Sequence, residues 1–142
     1  MNPNIIIIGF KQSLKTEVAK AYARICKREF FDMSSQIANS NLRKKNKFIA
    51  QKYMVRKFAK FQNKVLTLSS GILSNQESQE KLKKNIFVYL KKESLASDDE
   101  KLDKIYQDHA KITITVPEFY DENYKATAKL LARQINEGLE RY

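Results

Sequence analysis

Ile5-Ile-Ile-Ile-Gly-Phe-Lys-Gln-Ser-Leu-Lys-Thr16 decides how this chain folds. Four consecutive β-branched residues, with no polar alternation, predict a strand buried on both faces. The run ends at Gly9. From Lys15 to Cys26, apolar Val18, Tyr22, Ile25 and Cys26 recur at helical spacing, with Lys20, Arg24 and Lys27 towards water, so a helix follows. The order is strand, loop, helix.

Strands and helices go on alternating along the chain. Glu29-Phe-Phe31 reads as a second strand, and Ser34 to Asn46 starts as a weak helix and passes into a loop. Lys47 to Gln62 predicts a helix with Met54, Val55, Phe58 and Phe61 on one face and Lys52, Arg56 and Lys60 on another. Val65-Leu-Thr-Leu68 is a third strand, Gln76 to Lys84 a short helix, and Ile86-Phe-Val-Tyr-Leu90 a fourth strand. After a charged stretch from Lys91 to Glu100 come a helix over Lys101 to Asp108 and a fifth strand over Lys111 to Val116. A last helix, from about Glu122 to Tyr142, is expected to bury Tyr124, Ala128, Leu131, Ile135 and Leu139. Strands alternating with helices imply an α/β fold, a parallel sheet with right-handed crossovers and helices on both faces.

Composition sets the outer bounds. A chain of 142 residues can bury one core but not two, so one domain is expected, without repeat or linker. With 42% hydrophobic residues, three Gly and two Pro, it is a packed chain rather than a disordered one. Cys26 is the only cysteine, which excludes an internal disulfide, and no zinc-site spacing occurs, so a reducing cytoplasm is expected. The apolar run Ile5–Ile8 is too short for a signal peptide, and no stretch approaches the ~20 apolar residues of a membrane span. A soluble protein is expected.

The net charge of +11 is concentrated. Met33 to Gln76 contains no Asp or Glu, while Arg43, Lys44, Lys45, Lys47, Lys52, Arg56, Lys57, Lys60 and Lys64 are all cationic. Such a segment attracts nucleic acid, acidic proteins or anionic lipid headgroups. The plainer reading, a solvated cationic face, is preferred. Phe48, Tyr53, Phe58 and Phe61 interleave with these charges, but their helical spacing favours core packing over base stacking.

The loop after the first strand carries the chemistry. A phosphate-binding loop has Gly, four residues, Gly, Lys, then Ser or Thr, between a strand and a helix. Gly9, Lys15 and Thr16 match in position and context, and Leu14 replaces the second glycine. In an intact loop the backbone N–H groups wrap the phosphates, the lysine bridges the terminal ones and the hydroxyl holds magnesium. Leu14 puts a Cβ where the backbone curls close to the ligand. Lys11 either adds charge to this loop or fills the phosphate site itself, and Ser13 lies within it.

Asn4 to Phe10, Phe30-Phe-Asp-Met-Ser-Ser-Gln-Ile37, Val65-Leu-Thr-Leu-Ser-Ser-Gly71, Val88-Tyr-Leu90 and Tyr106 to Ile114 fall in the order found in shikimate kinases, and over most of its length the chain resembles that family. The resemblance implies a three-layer α/β/α fold with a five-stranded parallel sheet of order 2-3-1-4-5. It also implies MgATP as cofactor and phosphorylation of the 3-hydroxyl of shikimate. Lys15 corresponds to the phosphate-binding lysine and Thr16 to the magnesium-binding hydroxyl. Asp32 matches the first Asp of the family's Asp-x-Asp motif, and Ser34 stands where the second contacts shikimate hydroxyls. Arg56 lies on the helix where the family places an arginine for the substrate carboxylate, with a small deletion in the alignment. The family's glycine triplet is Ser69-Ser70-Gly71, of which Gly71 fits.

Other family parts are missing. The arginine-bearing lid that follows Leu90 in the family is reduced here to Lys91–Glu100, which has no arginine. The further substrate arginine falls near Leu102, where Lys101 and Lys104 lack the bidentate fork that grips a carboxylate.

Bland readings stand beside the sharp ones. Lys15 and Thr16 are either a residual phosphate site or an inherited helix start. Asp32 serves magnesium or a substrate proton, or caps a helix before Met33, and the cap is preferred. His109 and Cys26 read as structural. Three functional readings follow. One is a shikimate-kinase-like protein that has lost most catalysis and acts by binding or regulation, with an anionic small molecule or phosphate as ligand and an intact kinase or other protein as partner. Another is a divergent ATP-dependent kinase with its own hydroxyl acceptor, and the third is a polyanion-binding protein using residues 43–64.

Overall fold

The computed structural model describes residues 2–11, 13–118 and 124–141. Five parallel strands form one sheet in the order β2-β3-β1-β4-β5: β1 Ile5–Gly9, β2 Phe30–Asp32, β3 Val65–Thr67, β4 Ile86–Lys92 and β5 Ala110–Val116. Among the described residues six α-helices connect and cover them: α1 Lys15–Cys26, α2 Met33–Ala38, α3 Lys47–Ala59, α4 Gln76–Leu82, α5 Glu100–His109 and α6 Tyr124–Glu140. This is the expected three-layer α/β/α architecture, with β1 central.

The isoleucine run explains the layering. Side chains alternate across a strand, so Ile6 and Ile8 enter a core with α3 (Met54, Val55, Phe58) and α5 (Tyr106), while Ile5 and Ile7 enter one with α1 (Val18, Tyr22) and α6 (Leu131, Ile135). Both faces are covered. Ile5 pairs with Val65 on one side and Ile86 on the other. Buried Asn4 fixes the strand's start: its side chain donates to the Phe61 carbonyl (2.7 Å) and accepts from the Lys64 N–H (2.9 Å), and its own N–H bonds Asn85 Oδ1 (3.1 Å).

The differences from the sequence reading are local. Helix α3 stops at Ala59 rather than Gln62, because the chain turns through Asn63 at φ 60°. Phe61 still packs on the core, stacked obliquely on Phe31 at 4.8 Å. Strand β4 runs two residues past Leu90, extended by the β5 register Lys91↔Thr115 and Lys92↔Val116. Short 3-10 turns at Asn41–Lys44, Ile72–Ser74 and Ser97–Asp99 lie in the connections between these elements. Ile25 and Tyr124, expected in the core, are exposed at 41% and 38%, since each sits near a helix end beyond the packed stripe. The expected ends of the last helix at Glu122 and Tyr142 lie outside the described residues. Among the described residues no helix is long and apolar enough to cross a membrane.

Candidate functional site

Beyond the carboxyl ends of β1, β2 and β3 lies a cleft of about 690 Å3, where open parallel sheets bind ligands. Its floor is the loop between β1 and α1. Gly9 begins the loop at the closest approach in the sheet: a Cβ there would stand 2.8 Å from the Leu90 carbonyl oxygen and 2.9 Å from Ser13 Oγ. Only glycine fits. Buried Ser13 donates to the Phe10 carbonyl at 2.7 Å and holds the loop's return, and Phe10 packs edge-on against Tyr106 at 5.4 Å.

Leu14 shapes the turn from this loop into α1. It sits at the N-cap of α1 in the left-handed region, φ 59° and ψ 22°, and its side chain turns onto the α1/α6 core. The backbone thus keeps a conformation natural to glycine, at a cost of about 1 kcal/mol. Helices α2, α3 and α4 are capped by the side chains of Asp32, Asn46 and Asn75, but α1 has no side-chain cap. Its first-turn N–H groups and Thr16 open towards the cleft.

Lys15 is folded back across the cleft floor. Its ammonium donates to the Leu68 carbonyl at 2.8 Å and the Gly9 carbonyl at 3.3 Å, bridging the ends of β3 and β1. Burial pushes its pKa below the ordinary 10.5, and the charge of Asp32 opposes that shift. The unfolded chain therefore holds more protons between the lowered value and 10.5, and this group's contribution to stability rises with pH across that window. Below the window the buried ammonium is a constant cost. Lys15→Met is expected to stabilise the fold by about 1 kcal/mol at neutral pH. Urea unfolding of both proteins checks this: the gap should narrow as pH approaches 10.5, and a gap independent of pH would contradict the assignment.

Asp32 is committed to structure on both oxygens. Oδ2 accepts from the Ser35 N–H and hydroxyl, both at 2.9 Å, as the cap of α2, and Oδ1 accepts from Thr67 at 2.6 Å. The preferred cap reading therefore describes its contacts. Thr67 was not singled out from sequence, although it is the register partner of Asp32. Ser34 hydrogen-bonds Ser69 at 3.0 Å, linking the start of α2 to the chain after β3.

Two substrate candidates stand outside this cleft. Arg56 is exposed and lines none of the cleft; with Lys52 it lies on the α3 face turned to α4, near Glu77. From α3 the cleft takes Lys47 and Gln51 instead, one turn apart. Gly71, at φ 87°, opens on a separate cavity of about 340 Å3 between α3 and α4. Ser34, Lys47, Gln51 and Ser69 also line a second pocket of about 290 Å3, to which Arg43 and Lys45 contribute. Lys11 and Glu17 complete the cleft rim with opposite charges.

The connection from β4 to α5 is short and tied down. Only residues 93–96 separate β4 from the turn that leads into α5. The Tyr89 hydroxyl donates to Asp103 at 2.6 Å, and Lys91 approaches the same carboxylate at 3.7 Å. His109 ends α5 with Nδ1 2.8 Å from the Ile105 carbonyl and its ring edge-on to Phe87, a structural placement. Cys26 is half-buried. Among the described residues no cluster of His, Cys, Asp and Glu is arranged to hold a metal.

No family model and no curated protein matches the sequence. Solved structures do. Shikimate kinase from Acinetobacter baumannii, in complex with shikimate, aligns with a TM-score of 0.77 at 20% identity, covering 99% of this chain and 94% of that one. The chain has the shikimate kinase fold. The shikimate kinases from Bacteroides thetaiotaomicron (TM-score 0.74, 16% identity, 97% and 98% covered) and Aquifex aeolicus (0.73, 19%, 96% and 96%) agree. A sugar kinase from Janibacter follows at a TM-score of 0.59 and 12% identity. Within this fold the Lys15 cleft lies at the turn from β1 into α1, with Thr16 on its lining.

Proposed function

We propose that this shikimate-kinase-like protein binds a phosphate-bearing ligand in the Lys15 cleft, does not transfer the phosphoryl group, and acts as a binding or regulatory protein, with another protein such as an intact kinase as its partner. One observation carries the reading: Lys15, whose ammonium lies on the cleft floor, opens a helix without a side-chain cap, in a loop that turns through Leu14 in the left-handed region. Helix N–H groups and a lysine together recognise phosphate. ATP or ADP would meet Lys15 and the first turn of α1, and Thr16 would hold magnesium. When bound, magnesium would offset charge on the phosphates.

Phosphoryl transfer asks for more. It rests on positioning, charge neutralisation and exclusion of water. The β4–α5 connection is short and has no arginine, Asp32 is engaged on both oxygens, and Arg56 lies outside the cleft. A scan of thermal unfolding tests the reading, because a ligand that prefers the folded state raises the transition temperature. Inorganic phosphate and MgADP should raise it and shikimate should not. A rise with shikimate alone, or none with either phosphate ligand, would contradict it.

A second reading, a working kinase with another acceptor, is favoured by the pocket of Arg43, Lys45 and Lys47 that adjoins the cleft. It predicts acceptor-dependent ADP release with an anionic polyol.

A further inference from the structure

The outer side of α3 is a surface that the cleft does not use. Phe48 is 79% exposed, Ile49 58% and Tyr53 57%, three of the six large apolar side chains exposed among the described residues, and all lie within two turns of one helix. At helical spacing they span an arc of about 140°, and Lys52, Arg56 and Lys60 fall within that arc. This side has no acid of its own, since none occurs from Met33 to Gln76. The inner side of α3, with Met54, Val55 and Phe58, is already buried in the core, so the outer apolar groups are not a spare core face. This corrects the expectation that Phe48 and Tyr53 pack inside, which holds for Phe58 and Phe61 alone.

We propose that α3 docks the protein on a membrane surface rich in anionic lipid headgroups. Phe48, Ile49 and Tyr53 enter the boundary between headgroups and acyl chains, while Lys57 and Lys60 meet the lipid phosphates and Lys52 joins them by leaving Glu77. A helix with apolar and basic groups on one exposed side suits that interface. Lys57 and Lys60 meet no carboxylate among the described residues; Lys57 has only Gln36, at 3.4 Å. Lys52 approaches Glu77 at 3.8 Å, both half-exposed, a contact that lipid phosphate can replace. Aliphatic Ile49, lying between the two aromatic rings around the helix, offers no surface for stacking a base and favours a bilayer over nucleic acid.

Co-sedimentation of the full chain with vesicles tests this. Phosphatidylcholine vesicles containing about 30% phosphatidylserine should bind the protein, pure phosphatidylcholine should not, and raising salt should weaken binding. The pair Phe48→Ser and Ile49→Ser should lower partitioning about tenfold or more, with an unchanged thermal transition showing that the fold is intact. The pair Lys57→Gln and Lys60→Gln, both exposed and without a carboxylate partner among the described residues, should lower it as well. No binding to the anionic vesicles would overturn the proposal. So would unchanged partitioning of the serine pair, or tighter binding to single-stranded DNA that depends on the same residues.

Discussion

Purified protein given MgATP and shikimate is expected to release ADP no faster than without shikimate. A charge-stabilising arginine at the transferring phosphoryl group is worth about 10³ to 10⁵ in turnover, and this chain has no arginine between Arg56 and Arg133. Arg56 itself is turned to α4 and Glu77, and the β4–α5 connection is held by Tyr89 and Lys91 on Asp103. A coupled assay for ADP, run beside an active shikimate kinase, checks this. Leu14→Gly should not restore turnover, since the loop already holds the left-handed backbone there and the missing charge lies elsewhere. Shikimate-dependent ADP release that vanishes in Lys15→Ala would overturn the prediction.

Gly9→Val is expected to destabilise the fold by about 3 kcal/mol or more. The clash is with backbone: a Cβ at position 9 meets the carbonyl oxygen of Leu90, its register partner on β4, at 2.8 Å. Neither strand can retreat without parting the two central strands of the sheet. Ser13 Oγ, on the other side at 2.9 Å, would also lose its bond to the Phe10 carbonyl. Urea unfolding measures the loss, and Gly9→Ala should fall between valine and wild type. An alanine variant as stable as wild type would mean that the loop does not pass so close to β4.

Ile5–Ile8 announces its central place because a strand covered on both faces loses its polar alternation, and α1 was legible to its terminal residues because its apolar stripe has a single direction. The outer face of α3 was not legible for the opposite reason. Phe48, Ile49 and Tyr53 give that helix apolar groups on two sides, and periodicity cannot say which side the sheet takes. Arg56 became a substrate candidate through the family resemblance, across a small deletion in the alignment, and only the packing of α3 decides that Lys47 and Gln51 face the cleft. The candidate loop residues were readable because they are adjacent in the chain. The Lys15 contact with the Leu68 carbonyl, 53 residues away, and the Asp32 contact with Thr67 depend on strand register.

The most direct test of a phosphate cleft without transfer chemistry is a calorimetric titration of MgADP into the wild-type protein and Lys15→Ala. Wild type should bind with one site per chain, and the variant should lose at least about tenfold in affinity, in line with a charge-assisted contact of roughly 1.5–3 kcal/mol. No heat of binding in the wild type, or equal affinity in the two proteins, would contradict the account.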